Sequence, residues 1–378
     1  MPATQSSHAE QSLPHGTPRQ VIPLIPFLTP YYLSPSPCGT RIALLGSVRG
    51  EQALLIADVA QLLVSCRGEA PLARLCCLGT AAPLYFDWAP HGPELLLASN
   101  ENKLARIRAD VLNEVADSVE TLPCCEPAEA QVKSLDSLPG TVIQGRISFR
   151  APQWLPWPDA AEGRWLIPTD AAQPGRVSLA LVDPVSGRPD IVCENLAPEA
   201  HFTASSSGWV AWCGLHDNRG HGGVFARQVL PSMGPPITVF AHANRVEGLS
   251  WGGDRLALLI HAPNCLVWAV WDPVEAEKTG NGLCVAPQGF IPNRSFSGRV
   301  LPFFDQFERR VDYWNPGRDA LVYADCNAEV WVQPFPRPPE PQAQDEPHPL
   351  QSLGGAQLAL APCRRRIAAG SYACWSPL

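Results

Sequence analysis

One unit of sequence recurs along the chain: an apolar strand, a turn bearing proline or glycine, then two further apolar strands. It is clear at Tyr32–Leu45, followed after a turn at Arg49-Gly50 by Ala53–Asp58. The same order returns at Phe86–Ala98 with Leu104–Ile107, at Leu249–Ile260 with Leu266–Asp272, and at Tyr313–Tyr323 with Glu329–Gln333. Two weaker copies lie between, Gln153–Trp157 with Arg164–Ile167 and Val177–Asp183, and Phe202–Trp212 with Gly223–Val229. A last, truncated copy is Leu358–Ala369, ending in Tyr372–Pro377. The turn positions Pro37, Pro90, Pro156, Ser207, Gly252, Pro316 and Pro362 stand 53, 66, 51, 45, 64 and 46 residues apart. Intervals of that size fit one four-stranded sheet with loops of varying length, the unit of a β-propeller.

A lone four-stranded sheet leaves both apolar faces in water, whereas radial stacking lets each sheet cover its neighbours. Trp88, Trp251 and Trp314 recur just before the turn, where a large ring fills the wedge between blades. The expected fold is therefore all-β, a propeller of four-stranded blades, with seven blades favoured and six the alternative. Residues 1–19 read as a disordered tail and 20–378 as one propeller domain. The extended segment Gln20–Phe27 is expected to join the truncated last unit as an edge strand, which closes the ring. The 41 prolines agree with many short elements, since proline cannot sit repeatedly inside helices or central strands.

Charge narrows the partners. A net charge of −8 provides no field for nucleic-acid phosphates or an anionic membrane surface. Apolar runs are broken by proline or charge well short of the roughly 20 residues a membrane helix needs. The stretch Met1–Gln20 is polar, with no apolar region after a basic one, so no export signal is expected and the cytoplasm is the expected location. Thirteen cysteines include no C-x-x-C pair, and Cys76-Cys77 and Cys124-Cys125 are adjacent. Positions such as Cys213 and Cys326 lie in apolar runs and read as buried, reduced thiols.

An aromatic or apolar strand, then Ser-Pro-x-Gly, then Arg/Glu-x-Leu/Ile-Ala, resembles the repeat of TolB-type propellers. It is similar also to the propeller domains of dipeptidyl peptidases and prolyl oligopeptidases. The likeness spans residues 20–378, and the turns Ser34–Gly39, Trp88–Gly92 and Trp314–Gly317 come nearest the family motif. The aspartate that the family places between proline and glycine is replaced by Cys38 and His91, and Pro316 and Gly317 are adjacent. Peptidase relatives carry a hydrolase domain with a G-x-S-x-G elbow, and no such pentapeptide occurs here, so peptidase activity is not expected.

Two local constellations are candidates. Cys213, His216, Asp217 and His221 share one glycine-rich loop and are residue types that meet a soft divalent metal. Their spacing matches no zinc module, and a polar hairpin between Trp209–Cys213 and Gly223–Ala226 is the plainer reading. Phe304, Asp305, Gln306 and Arg310 put aromatic and charged groups together before a blade, as a binding edge would. A blade connection with phenylalanines in the core is the plainer reading there. His201, His242 and His261 occur singly near apolar strands and read as packed or solvated. The run Arg364–Arg366 reads as a solvated turn, and the proline-rich Pro334–Pro349 as an exposed spacer or a peptide ligand. No cofactor and no catalytic residue set is expected. The expected role is a monomeric interaction module that binds a protein or peptide partner without chemistry. The alternative is a propeller enzyme, or a binder of a small molecule or sugar, with a site in the central channel assembled from several blades.

Overall fold

Runs such as Leu-Ala-Leu-Leu-Ile at 256–260 and Val-Trp-Ala-Val-Trp at 267–271 are too short and too rich in β-formers for helix, and turn residues end them. The structure, a computed structural model, describes residues 28–48, 51–60, 75–80, 84–90, 92, 94–99, 103–107, 143–144, 150–158, 160–215, 222–241, 245–301, 304, 313–337 and 359–370. Strands β1 (Leu28–Pro35), β2 (Arg41–Val48), β3 (Glu51–Asp58) and β4 (Leu75–Thr80) form the first sheet. The second holds β5 (Leu84–Trp88), β6 (Leu95–Ser99), β7 (Lys103–Ile107) and β8 (Ile143–Gln144). The third holds β9 (Gln153–Trp157), β10 (Ala160–Asp170), β11 (Val177–Val182) and β12 (Pro189–Leu196). The fourth holds β13 (Phe202–Ala204), β14 (Trp209–Leu215), β15 (Gly222–Gln228) and β16 (Ile237–Ala241). The fifth begins with β17 (Val246–Gly252), β18 (Arg255–Ala262), β19 (Cys265–Trp271) and β20 (Leu283–Val285). The sixth begins with β21 (Ala320–Ala324) and β22 (Glu329–Pro334), ahead of which Trp314 bridges to Leu321. Within each sheet these strands lie antiparallel in chain order, so every connection is local.

The truncated seventh unit departs from expectation. Among the described residues there are six sheets, and that unit is shared between two of them. Its β23 (Ala359–Leu360) pairs parallel with β20, and its β24 (Arg365–Ala369) pairs antiparallel with β22. The reason lies in its composition: Arg364-Arg365-Arg366 and Pro362 prevent a continuous two-faced apolar strand, and β24 is exposed along its whole length. The segment Gln20–Phe27 and the tail 1–19 lie outside the described residues, as does Pro338–Pro349 of the proline-rich stretch.

Apolar seams run between successive sheets. Tyr85, Leu96, Trp154 and Trp165 join the second sheet to the third. Leu166, Leu179, Phe202 and Trp212 join the third to the fourth, and Ala211, Val224, Leu256 and Leu258 the fourth to the fifth. One further cluster unites Trp268, Tyr313 and Trp314 of the fifth and sixth with Tyr32, Leu45, Phe86 and Trp88 of the first and second. The wedge role expected of the tryptophans is visible at Trp88 and Trp314, each 1% exposed. The Trp314 indole lies so close to β17 that a Cβ on Gly252 would stand 2.4 Å from it. Alanine at Gly252 is thus expected to lower stability by about 1–3 kcal/mol through overpacking, read as a fall in the urea midpoint. A change under half that range would mean that the seam opens without cost.

The first strands of neighbouring sheets touch one another: β5 meets β9, β9 meets β13, and β13 meets β17. Polar side chains bridge them, those of Asp87 and Gln153 buried and that of Trp251 half-buried. The Asp87 carboxylate on β5 accepts from the Trp154 amide of β9 at 2.7 Å. Gln153 on β9 donates to the Phe202 carbonyl at 3.2 Å and accepts from the Ala204 amide at 2.8 Å, both on β13. The Trp251 indole of β17 donates to the Thr203 carbonyl at 3.3 Å. An inner strand pairs with only one neighbour inside its sheet, and these side chains satisfy backbone groups on its open side.

Candidate functional site

The starts of these first strands gather at one end of the sheet array. Arg150 stands three residues before β9, His201 one before β13 and Arg245 one before β17. Ladder hydrogen bonds hold the last two there: the Cys213 amide donates to the His201 carbonyl at 2.8 Å, and the His261 amide to the Arg245 carbonyl at 2.8 Å. The second bond continues the β17–β18 register, in which Val246 faces Ile260, and so sets His261 beside Arg245. The turn between β18 and β19 adds Asn264, and the segment after β20 adds Pro292, Ser297 and Leu301. Together these residues, with Glu247, Cys265 and Leu266, line a cavity of about 680 Å³. Ligand sites fall in that size range, and this one draws on three successive sheets.

Arg150 is the oriented cation of the site. Its Nε and Nη2 donate to the Glu199 carbonyl at 3.0 and 2.8 Å, and Nη2 also reaches His201 Nε2 at 3.0 Å. Because a guanidinium only donates, His201 Nε2 accepts and the ring is the neutral tautomer with its proton on Nδ1. His201 is 8% exposed, and burial, then the charges of Arg150 and Arg245, hold its pKa well below 6.5. Arg245 projects into solvent and pairs through Nε with Glu247 Oε1 at 3.2 Å.

The sign of the His201 shift sets a pH dependence. The unfolded chain takes up a proton on this ring near 6.5 and the folded chain refuses it, so its contribution is complete above that pH and is lost below it. Between pH 7.5 and 5, taken as approximate bounds, it is expected to remove up to about 1.4 kcal/mol per pH unit. His201→Gln keeps an acceptor for Arg150 and is expected to flatten that slope in urea titrations. An unchanged slope would place the titrating group elsewhere.

The residues singled out from sequence divide differently. Of the soft-metal set, Cys213 lies on β14, and burial pushes its thiol up to about 12, which opposes a thiolate ligand. His216, Asp217 and His221 lie outside the described residues, as does His242. The hairpin expected around them is present as the β14–β15 pair. Among the described residues no three metal-capable side chains gather. Phe304 is fully buried, stacked on Tyr313 with centroids 5.7 Å apart, and presents no surface to a partner. Asp305, Gln306 and Arg310 lie outside the described residues.

The thiols also require a correction: Cys326 is exposed, because it occupies the turn between β21 and β22 rather than the apolar run before it. Cys38 is exposed as well. What burial it has raises its pKa, but hydrogen bonds from Ser36 and Thr40 together outweigh that, and the thiol ends below its ordinary value. Brief alkylation at about pH 8 is expected to modify Cys38 early and to leave Cys213 and Cys193 unmodified, both being pushed up to about 12 by burial. Peptide mass mapping reads the order. Early labelling of Cys213 would mean that the end of β14 opens freely.

A putative TolB from Agrobacterium tumefaciens superposes on 69% of this chain and 79% of its own, at 14% identity and a TM-score of 0.41. The chain is similar to TolB-type propellers. TolB from Acinetobacter baumannii is matched over 64% of this chain and about half of its own, 51%, at 12% identity and a TM-score of 0.38. The propeller domain of the Trilobed protease from Pyrococcus furiosus, described as an open velcro topology, is matched over 65% of this chain and 69% of its own. That match has 9% identity and a TM-score of 0.42. No family model matches the sequence, and no curated protein does. Among the described residues no helix is long and apolar enough to cross a membrane.

Arg150, Arg245 and Glu247 escaped the sequence reading, and His201 and His261 were weighed only as isolated residues. One signal was there. With the repeats aligned on the turn positions Pro156, Ser207 and Gly252, Arg150, His201 and Arg245 stand six, six and seven residues before the turn in three successive units.

Proposed function

We propose that the chain is a six-sheet propeller that acts as a non-catalytic interaction module, taking a peptide segment of a protein partner at the end where the first strands begin. One observation carries this reading: side chains from three successive sheets converge on a single polar cavity of about 680 Å³. Its volume suits a few residues of extended chain rather than a folded domain. The rim cation Arg245 is free to meet a ligand without rearrangement of the core, being 76% exposed at its side chain. His201, the buried imidazole of the site, is turned toward a guanidinium rather than toward an acid or a nucleophile, which favours recognition over proton transfer.

The test is a peptide array covering the proteome of the source organism, probed with purified protein. Saturable one-to-one binding is expected, weakened at least about tenfold by Arg245→Glu and unaffected by Arg188→Glu on the exposed β11–β12 turn. Equal binding by both variants would move the interface away from this cavity. Silence on the array, together with a thermal shift from a panel of metabolites and sugars, would replace the reading with a small-molecule site in the channel.

A further inference from the structure

Resting on that reading, we propose that the cavity recognises a carboxylate, held between the guanidinium groups of Arg150 and Arg245, with an apolar substituent against Leu266, Pro292 and Leu301. The charge count selects the ligand. Two guanidinium groups face one carboxylate, Glu247, which leaves one positive charge for the ligand to neutralise. A carboxylate balances that charge. A phosphate dianion would leave a negative excess beside Glu247, whose side chain is only 13% exposed and therefore poorly screened. His201 does not alter the count, because its Nε2 is occupied as an acceptor from Arg150.

Geometry supplies the rest. The bonds from Nε and Nη2 of Arg150 to the Glu199 carbonyl fix the guanidinium plane before any ligand arrives. The two N–H groups of Nη1 have no partner among the described residues; they diverge from one nitrogen, so one of them donates a single charge-assisted hydrogen bond to a carboxylate oxygen. Arg245, at the start of β17 and separated from Arg150 by the β13 start that carries His201, supplies a second cation from the solvent side. Asn264 lines the same wall, held by a backbone φ of 65° in the turn between β18 and β19. The apolar residues come from different elements, Leu266 from β19 and Pro292 and Leu301 from the segment beyond β20. The fitting ligand is thus an amphipathic monoanion, either the free C-terminus of a peptide with an apolar last residue or a small apolar carboxylic acid.

The experiment uses the full chain and three probes. Gly/Ser hexapeptides randomised over apolar residues at the last two positions are made once as free acids and once as C-terminal amides, and isovalerate serves as the small carboxylate. Titration calorimetry is expected to find the acid pool bound at least about tenfold more tightly than the amide pool. Arg245→Gln is expected to erase most of that difference with an unchanged unfolding midpoint, and Arg150→Gln to do so more completely. Saturable binding of isovalerate alone, lost in Arg245→Gln, would support the carboxylate site while removing the peptide partner. Equal binding of acids and amides would overturn the carboxylate and leave the peptide reading standing. Silence of all three probes, or displacement by inorganic phosphate more readily than by isovalerate, would overturn the proposal.

Discussion

Leucine in place of Gln153 is expected to lower the unfolding free energy by about 2–6 kcal/mol, the cost of two buried backbone groups left without partners at about 1–3 kcal/mol each. Gln153 is fully buried and its amide group holds the Phe202 carbonyl and the Ala204 amide of the adjacent inner strand. Leucine matches it in size, so the loss isolates the polar bridge rather than a cavity. Urea unfolding reads it as a lower midpoint at constant slope. A loss under about 0.5 kcal/mol would mean that the inner strands are held by apolar packing alone, and the bridging role assigned to Asp87 and Trp251 would fall with it.

Methionine in place of Arg255 is expected to cost about 3–5 kcal/mol, because it takes from a buried carboxylate its buried cationic partner. Arg255, 3% exposed at the start of β18, donates through Nη1 to the Arg318 carbonyl at 2.9 Å and the Phe335 carbonyl at 2.7 Å, tying the fifth sheet to the sixth. Its Nε lies 3.4 Å from Asp272 Oδ2, whose other cationic partner among the described residues is Arg337, at 3.3 Å. Asp272 has a second duty, capping the short helix α1 (Pro273–Thr279) by accepting from the amides of Val274 and Glu275. Asparagine caps a helix about as well as aspartate, so Asp272→Asn in the methionine background is expected to restore part of the loss by removing the under-compensated buried charge. No recovery in the double variant would place the cost in the two carbonyls instead. A single-variant loss under about 1 kcal/mol would show that water reaches the pair.

The strand units were legible because β-structure is local in its grammar. Leu256–Ile260 and Leu266–Trp271 alternate short apolar runs with turn residues, and they fold as β18 and β19 nearly where the pattern puts them. The wedge positions of Trp88 and Trp314 were legible for a similar reason, since a large ring before a turn has one roomy place to go. Helix α1 was missed: the Asp272-Pro273 start is a capping signal, but it follows a strong strand and spans only Pro273–Thr279. The fate of Leu358–Ala369 was missed because its letters repeat the start of a unit while its partners, β20 and β22, lie far back in the chain.

What the sequence by itself determined is the kind of element, its approximate length and the repetition that makes stacked sheets the economical way to bury their faces. Hydrophobic period and turn chemistry act over a few residues, so they can be read from a few residues. Only the tertiary structure decided which groups meet. Gln153 reaching β13, Arg255 reaching the sixth sheet, and Arg150, His201 and Arg245 sharing one cavity depend on the angle and register at which separate sheets pack. Those quantities arise from the summed contacts of many side chains and are written at no single position.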